Sequence, residues 1–169
     1  MDSMAADEFT DFMLSRWAGL VRFGYGLTGD QGLAEDLAQT ALTRACASWT
    51  RVRRASSDPD AYVRRIMINS NRSRFRGRRV SEQLTESPPD YPGRELVEAP
   101  DERTELMAAL MSLPAGQRAV VVLRYWMDLS EADTAAALGC STGNVKSQAA
   151  RALAKLRVSG ELMNGRLPC

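Results

Sequence analysis

Apolar residues in this chain recur at three- and four-residue steps. No stretch shows the alternation with a period of two that marks a half-buried strand. Phe9, Phe12, Met13, Trp17, Leu20 and Val21 form the first stripe. That helix should end over 24–29, where LTGD interrupts the pattern and Asp30 can cap the next helix. A second stripe of Leu33, Leu37, Ala38, Ala41, Leu42, Ala45, Cys46 and Trp49 runs about four turns. Its other side shows Glu35, Asp36, Gln39 and Thr43. Residues 50–58, TRVRRASSD, read as a loop. Pro59 suits the first turn of a third helix, with Tyr62, Val63, Ile66, Met67 and Ser70 on its buried side and fraying expected around Gly77.

The second apolar block begins near Glu102, with Leu106, Ala109, Leu110 and Leu113 on one face. Pro114 opens a further helix whose core candidates are Ala119, Val122, Leu123 and Trp126. Between the blocks, residues 80–104 contain SPPDYPG, and four of the seven prolines lie between 88 and 100. Such a segment is an extended or mobile linker. The expectation is an all-α protein of two small helical domains, 1–79 and 105–160, joined by the acidic flexible linker 80–104 and followed by a tail, 161–169.

Composition narrows the chemistry. The chain has 169 residues, 44% of them hydrophobic. No apolar run approaches the roughly 20 residues that span a bilayer. The first residues, MDSMAADEFTDF, are acidic where a signal peptide would be basic and then apolar. A cytoplasmic protein is expected. There is no histidine, which removes the commonest general base and metal ligand. Cys46, Cys140 and Cys169 match no zinc spacing, and an odd count argues against a disulfide framework. No cofactor is expected, and an enzyme acting on nucleic acid is disfavoured because carboxylates do not cluster at metal spacing.

The net charge of +1 conceals blocks of opposite sign. Residues 1–50 carry −4, residues 51–79 carry +8, residues 80–105 carry −6 and residues 106–169 carry +3. Clustered arginine between acidic segments is the footprint of a phosphate or acidic partner.

The most specific pattern is LSEADTAAALGCSTGNVKSQAARALAKLR, residues 129–157. Ser130 and Asp133 resemble a capping box. A short helix then reaches Leu138, Gly139 sits where the chain must turn, and Ser141 can cap the next helix. Two helices around so short a turn have the spacing of a helix-turn-helix. In the second, Val145, Ala149, Ala152, Leu153 and Leu156 form a packing face. Asn144, Gln148, Arg151 and Lys155 lie opposite, beside Ser147, with Lys146 at the flank. Amides and arginine can pair with base edges while Lys and Ser hold phosphate.

Over 59–79, Arg65, Asn69, Arg72, Arg76 and Arg79 share a stripe at steps of four, three, four and three. Four arginines on a stripe without an acid repel one another, and a polyanion relieves this. Tyr62, Phe75 and Trp49 lie near enough either to stack on unpaired bases or to fill the core.

These segments resemble the extracytoplasmic-function sigma factors of the sigma-70 family, and the phrasing is similar to the actinobacterial SigE-type subgroup. GLAEDLAQTALTRACASW is similar to the family's second conserved helix, and PDAYVRRIMINSNRSRFRGRR to its promoter-melting helix. SLPAGQRAVVVLRYWMDLSEADTAAALGCSTGNVKSQAARALAKLR resembles the C-terminal sigma domain nearly end to end. The resemblance implies an alternative sigma factor that binds core RNA polymerase, through the clamp coiled coil and the flap, and recognises promoter DNA. Glu35, Asp36, Gln39 and Leu42 would dock on the clamp. Asn69 would meet the flipped base of the minus-ten element, with Arg65, Arg72, Arg76 and Arg79 on phosphates and residues 50–58 shaping the pocket. Asn144, Lys146, Ser147, Gln148, Arg151 and Lys155 would read or anchor the minus-thirty-five element. The linker would run near the RNA exit path, and an anti-sigma factor is a further partner such proteins take. No regulatory third domain is implied after Leu156. Ser73 stands where many members have Asp, and Asn144 and Gln148 where others have Thr and Arg, departures that bear on which promoter is read. The competing reading, a stand-alone helix-turn-helix regulator, accounts for residues 129–157 but not for the arginine stripe or the acidic helix.

Overall fold

The computed structural model describes residues 3–55, 58–84 and 102–158; of residues 75, 77–84 and 102–104 it describes the backbone alone. The described residues are helical without a strand. Helices α1 (Ser3–Thr28), α2 (Gln31–Ala47), α3 (Trp49–Ala55) and α4 (Pro59–Leu84) make the first half. Helices α5 (Glu102–Ser112), α6 (Ala115–Val121), α7 (Glu131–Leu138) and α8 (Thr142–Val158) make the second, with α6 running into a π-helical turn over Val122–Trp126.

Short polar side chains set the helix starts. The Asp30 carboxylate accepts from the Leu33 amide at 2.8 Å, satisfying one of the N–H groups that a first turn leaves without a partner. Asp58 accepts from the amides of Asp60 and Ala61 at 3.0 and 3.2 Å, so α4 begins at Pro59 as its sequence suggests. The core of the first half is built by α1, α2 and α4, through residues such as Phe23, Leu27, Leu37, Ala38, Val63 and Met67.

Two expectations change. Residues 49–55 are a helix rather than the start of a loop. Ser48 ends α2, and Trp49 begins α3 instead of completing the stripe of α2. Burial of Trp49 and Val52, one turn apart, draws this segment onto α1. The Trp49 ring lies edge-on to Phe9 at 5.1 Å and tilted on Phe12 at 5.0 Å, arrangements that aromatic quadrupoles favour. Trp49 is therefore core and cannot stack on bases. In α4, the backbone continues past Gly77 to Leu84, where fraying was expected. The linker beyond Leu84, up to residue 101, lies outside the described residues, as does the tail.

In the second half, Met107 and Leu110 of α5 and Leu113 just after it pack with Val121, Ala152 and Leu156, while Val120, Ala135, Val145 and Ala149 form a smaller cluster. The two halves are not independent. Ala119, Val122, Leu123 and Ala137 belong to the same cluster as Phe23, Leu27 and Val63. Close approach depends on Gly26 of α1, where a Cβ would stand 2.8 Å from Val122 Cγ1. The π turn, closed by the Met127 amide on the Val122 carbonyl at 2.9 Å, is the segment that packs there.

Candidate nucleic-acid interface

The helix-turn-helix forms as its residues indicate. Ser130 Oγ accepts from the Asp133 amide at 3.0 Å and donates to the Asp133 carboxylate at 2.6 Å. Asp133 is too short to reach back to the backbone as Glu does in the usual box, and it takes the hydroxyl instead. Gly139 closes α7 at φ +66°, a left-handed conformation that costs a residue with a Cβ. Ser141 Oγ then accepts from the Asn144 amide at 3.1 Å, and α8 starts.

On α8, Val145, Ala149, Ala152 and Leu156 are buried, and Leu153 is half-buried. Asn144, Lys146, Ser147, Arg151 and Lys155 are exposed, with Gln148 half-buried between them. The Gln148 amide points its Nε2 toward Asn144 Oδ1 at 3.5 Å, too long to hold either side chain firmly. Lys146 Nζ lies 3.5 Å from Glu131 on α7. Both groups are exposed, so this pair offers little energy and a phosphate can replace the carboxylate.

The α4 stripe is also assembled. Arg65, Asn69 and Arg76 are exposed and Arg72 is half-buried. Among the described residues none of Arg65, Arg72 and Arg76 has a carboxylate partner. The Arg79 side chain lies outside the described residues. The neighbouring Arg64 behaves differently. It is buried and pairs with Asp60, one turn before it, with Asp58 at 3.8 Å. Asp58 and Asp60 thus both lie against the inward arginine. Arg65 also touches the second half: its Nη2 is 3.0 Å from where a Gly139 Cβ would stand.

On α2, Glu35, Asp36 and Gln39 are exposed, as docking requires. Leu42 is not. It is 4% exposed and lies in the core, so it cannot be a docking contact; its part is to hold α2 in place. Asp36 and Gln39 line one wall of a cleft of about 630 Å³, and Asn69 lines the other. Arg44, Ser70 and Arg74 also line it; Ser70, expected on the buried side of the helix, is half-buried at this wall, and Arg44 and Arg74 were not singled out from the sequence. Arg44 follows Asp36 and Thr40 at steps of four, the signal that could have placed it on this face. None of residues 50–55 lines this cleft; they lie in α3, whose Arg53 is paired with Glu8 of α1. That hydrogen bond, with the Glu8 charge, holds Arg53 above its ordinary pKa. Among the described residues no group of Cys, Asp and Glu is placed to hold a metal ion, and no helix is long and apolar enough to cross a membrane.

A helix-turn-helix with an exposed polar face thus lies on the same chain as a helix whose described outer arginines have no carboxylate partner among the described residues. Comparison with known proteins gives the family. Residues 15–80 match the model of sigma-70 region 2 and residues 103–156 that of sigma-70 region 4. The chain is 42% identical to the RNA polymerase sigma-E factor of Streptomyces coelicolor over 150 residues, 89% of this chain and 84% of that protein. It is 43% identical to the sigma-E factor of Streptomyces antibioticus, over 89% and 83% of the two. In fold it is similar to the sigma factor RpoE solved with the anti-sigma factor NepR from Bartonella quintana, with a TM-score of 0.73, 27% identity and coverage of 92% and 98%. The chain belongs to the sigma-70 family, in its extracytoplasmic-function branch, and is an alternative sigma factor that directs transcription initiation.

Proposed function

We propose a division of labour in which α2 docks on core RNA polymerase, α4 holds the opened minus-ten element and α8 reads the minus-thirty-five element in the duplex. The observation that carries this reading is the pair of polar stripes on α4 and α8, each exposed on one side of its helix and backed by a buried face. Asn69 stands within arginines, as a base-reading amide flanked by phosphate anchors would. Asn144, Gln148 and Arg151 are the residue types that pair with base edges in a major groove, and Lys146, Ser147 and Lys155 those that hold its phosphates. Glu35, Asp36 and Gln39 supply the exposed polar face for the clamp coiled coil, and the flap is the partner of the second half.

The chain contributes no catalytic group in this scheme; RNA synthesis is the work of the core enzyme. It acts in the cytoplasm, where the polymerase and promoter are. The similarity to a sigma factor solved with NepR supports an anti-sigma protein as a further partner. The division 1–79, 80–104 and 105–160 remains the functional one, although α4 continues to Leu84 and α5 starts at Glu102.

Run-off transcription with core polymerase tests the proposal. Start sites mapped after induced expression supply the promoter templates. Promoter-specific transcripts that require the chain are expected, and their absence across all templates would overturn the reading. Asn69→Ala should abolish open-complex formation while leaving core binding intact; equal loss of core binding would contradict the role given to Asn69.

A further inference from the structure

The cleft between α2 and α4 joins two surfaces that the proposed function treats separately. Asp36 and Gln39 lie on its α2 wall, Asn69 and Ser70 on its α4 wall. Arg44 reaches across it. Its Nη1 donates to Ser70 Oγ at 3.3 Å, over 26 residues of sequence, and Ser70 immediately follows Asn69. Among the described residues no carboxylate pairs with Arg44. Asp36 sits two turns before it on the same face, about 12 Å away along the axis. One hydrogen bond to a hydroxyl uses one of the five N–H donors of a guanidinium. Among the described residues no other side-chain hydrogen bond of Arg44 is formed, and the guanidinium belongs to a residue that lines the cleft of about 630 Å³.

A helix C-terminus favours a cation, which would explain some basic residue in the last turn of α2. It does not explain why this one is tied across the cleft to the neighbour of Asn69. We propose that Arg44 is a promoter contact, which holds from the α2 wall the phosphate adjoining the unpaired base that Asn69 meets from the α4 wall. Ser70 is its positioning residue. The single strand is then gripped between the docking helix and the melting helix rather than by α4 alone, and capture of the strand depends on the spacing of α2 and α4. This inference rests on the reading of α4 as the minus-ten helix.

The test uses holoenzyme and two probes made from a mapped promoter. One is a fork-junction DNA with the minus-ten non-template strand unpaired; the other is a fully paired fragment ending upstream of the minus-ten element. Removing one charged phosphate contact should weaken fork binding by about 10- to 100-fold. It should also lower the slope of log affinity against log salt by about 0.7. Arg44→Ala is expected to show both effects, with unchanged affinity for core polymerase and for the paired fragment. Arg44→Lys should restore the salt slope but not the full affinity, because an ammonium cannot fork between a hydroxyl and a phosphate. Ser70→Ala should weaken fork binding with the slope unchanged. Wild-type fork binding by Arg44→Ala, with Asn69→Ala defective, would overturn the inference alone. Loss of core affinity in Arg44→Ala would overturn it by assigning the residue to docking. Wild-type fork binding by both variants would instead overturn the reading of α4. Arg44→Gln, which keeps the side-chain length, serves if the alanine variant folds poorly.

Discussion

Arg118 Nη1 donates to the carbonyl oxygen of Leu27 at 2.9 Å, across 91 residues of sequence. The same guanidinium bonds the carbonyls of Leu110, Met111 and Leu113 at 2.9 to 3.0 Å. It gathers the unsatisfied C-terminal carbonyls of α5 and one from the end of α1, so a single buried side chain caps two helices in different halves. Burial pushes its pKa below the ordinary arginine value, yet an arginine stays charged throughout the usable pH range. Arg118→Met should therefore leave buried carbonyls without donors and cost about 2–4 kcal/mol. Urea unfolding measures this, and a midpoint equal to that of the parent chain would show that water replaces the guanidinium.

Gly26→Ala separates helix propensity from docking. Alanine is about 1 kcal/mol better than glycine inside a helix. Here, though, its methyl would stand 2.8 Å from Val122 Cγ1. A lower urea midpoint is expected, with recovery when Val122→Ala is added, since the coupling of touching residues appears in a double-mutant cycle. A raised midpoint in the single variant would mean that α1 and the π turn are apart in solution.

Gly139→Ala should cost about 1–2 kcal/mol, because φ is +66° at the turn of the helix-turn-helix and a Cβ is strained there. Gly139→Asn should cost less, as asparagine visits this conformation more readily. Thermal melting followed by circular dichroism distinguishes them; equal loss in both would point to the contact with Arg65 rather than to backbone strain.

Arg151→Ala should reduce discrimination between the cognate and a mutated minus-thirty-five element by about 1–3 kcal/mol if Arg151 pairs with a base edge. Competition binding of holoenzyme to the two sequences measures it. A uniform loss on both would make Arg151 a phosphate contact.

Local chemistry determined much of this protein by itself. Asp30, Ser130 and Ser141 cap the helices whose starts they mark, Pro59 opens α4, and Gly139 makes the turn, because capping and left-handed backbone involve residues a few positions apart. The stripes on α4 and α8 were legible for the same reason: helical periodicity alone decides which residues share a face. Tertiary structure decided the rest. Trp49 and Val52 turned a segment that looks like a loop into α3, since the gain lies in Phe9 and Phe12, some forty residues earlier. Leu42 lies on the apolar stripe of α2 by its spacing, and the core that this stripe enters takes it away from the docking face. The cleft shared by Arg44 and Asn69, and the bond from Arg118 to Leu27, join residues from separate helices. No spacing along the chain encodes such a pairing, because it exists only once helices with their own periods have found a common core.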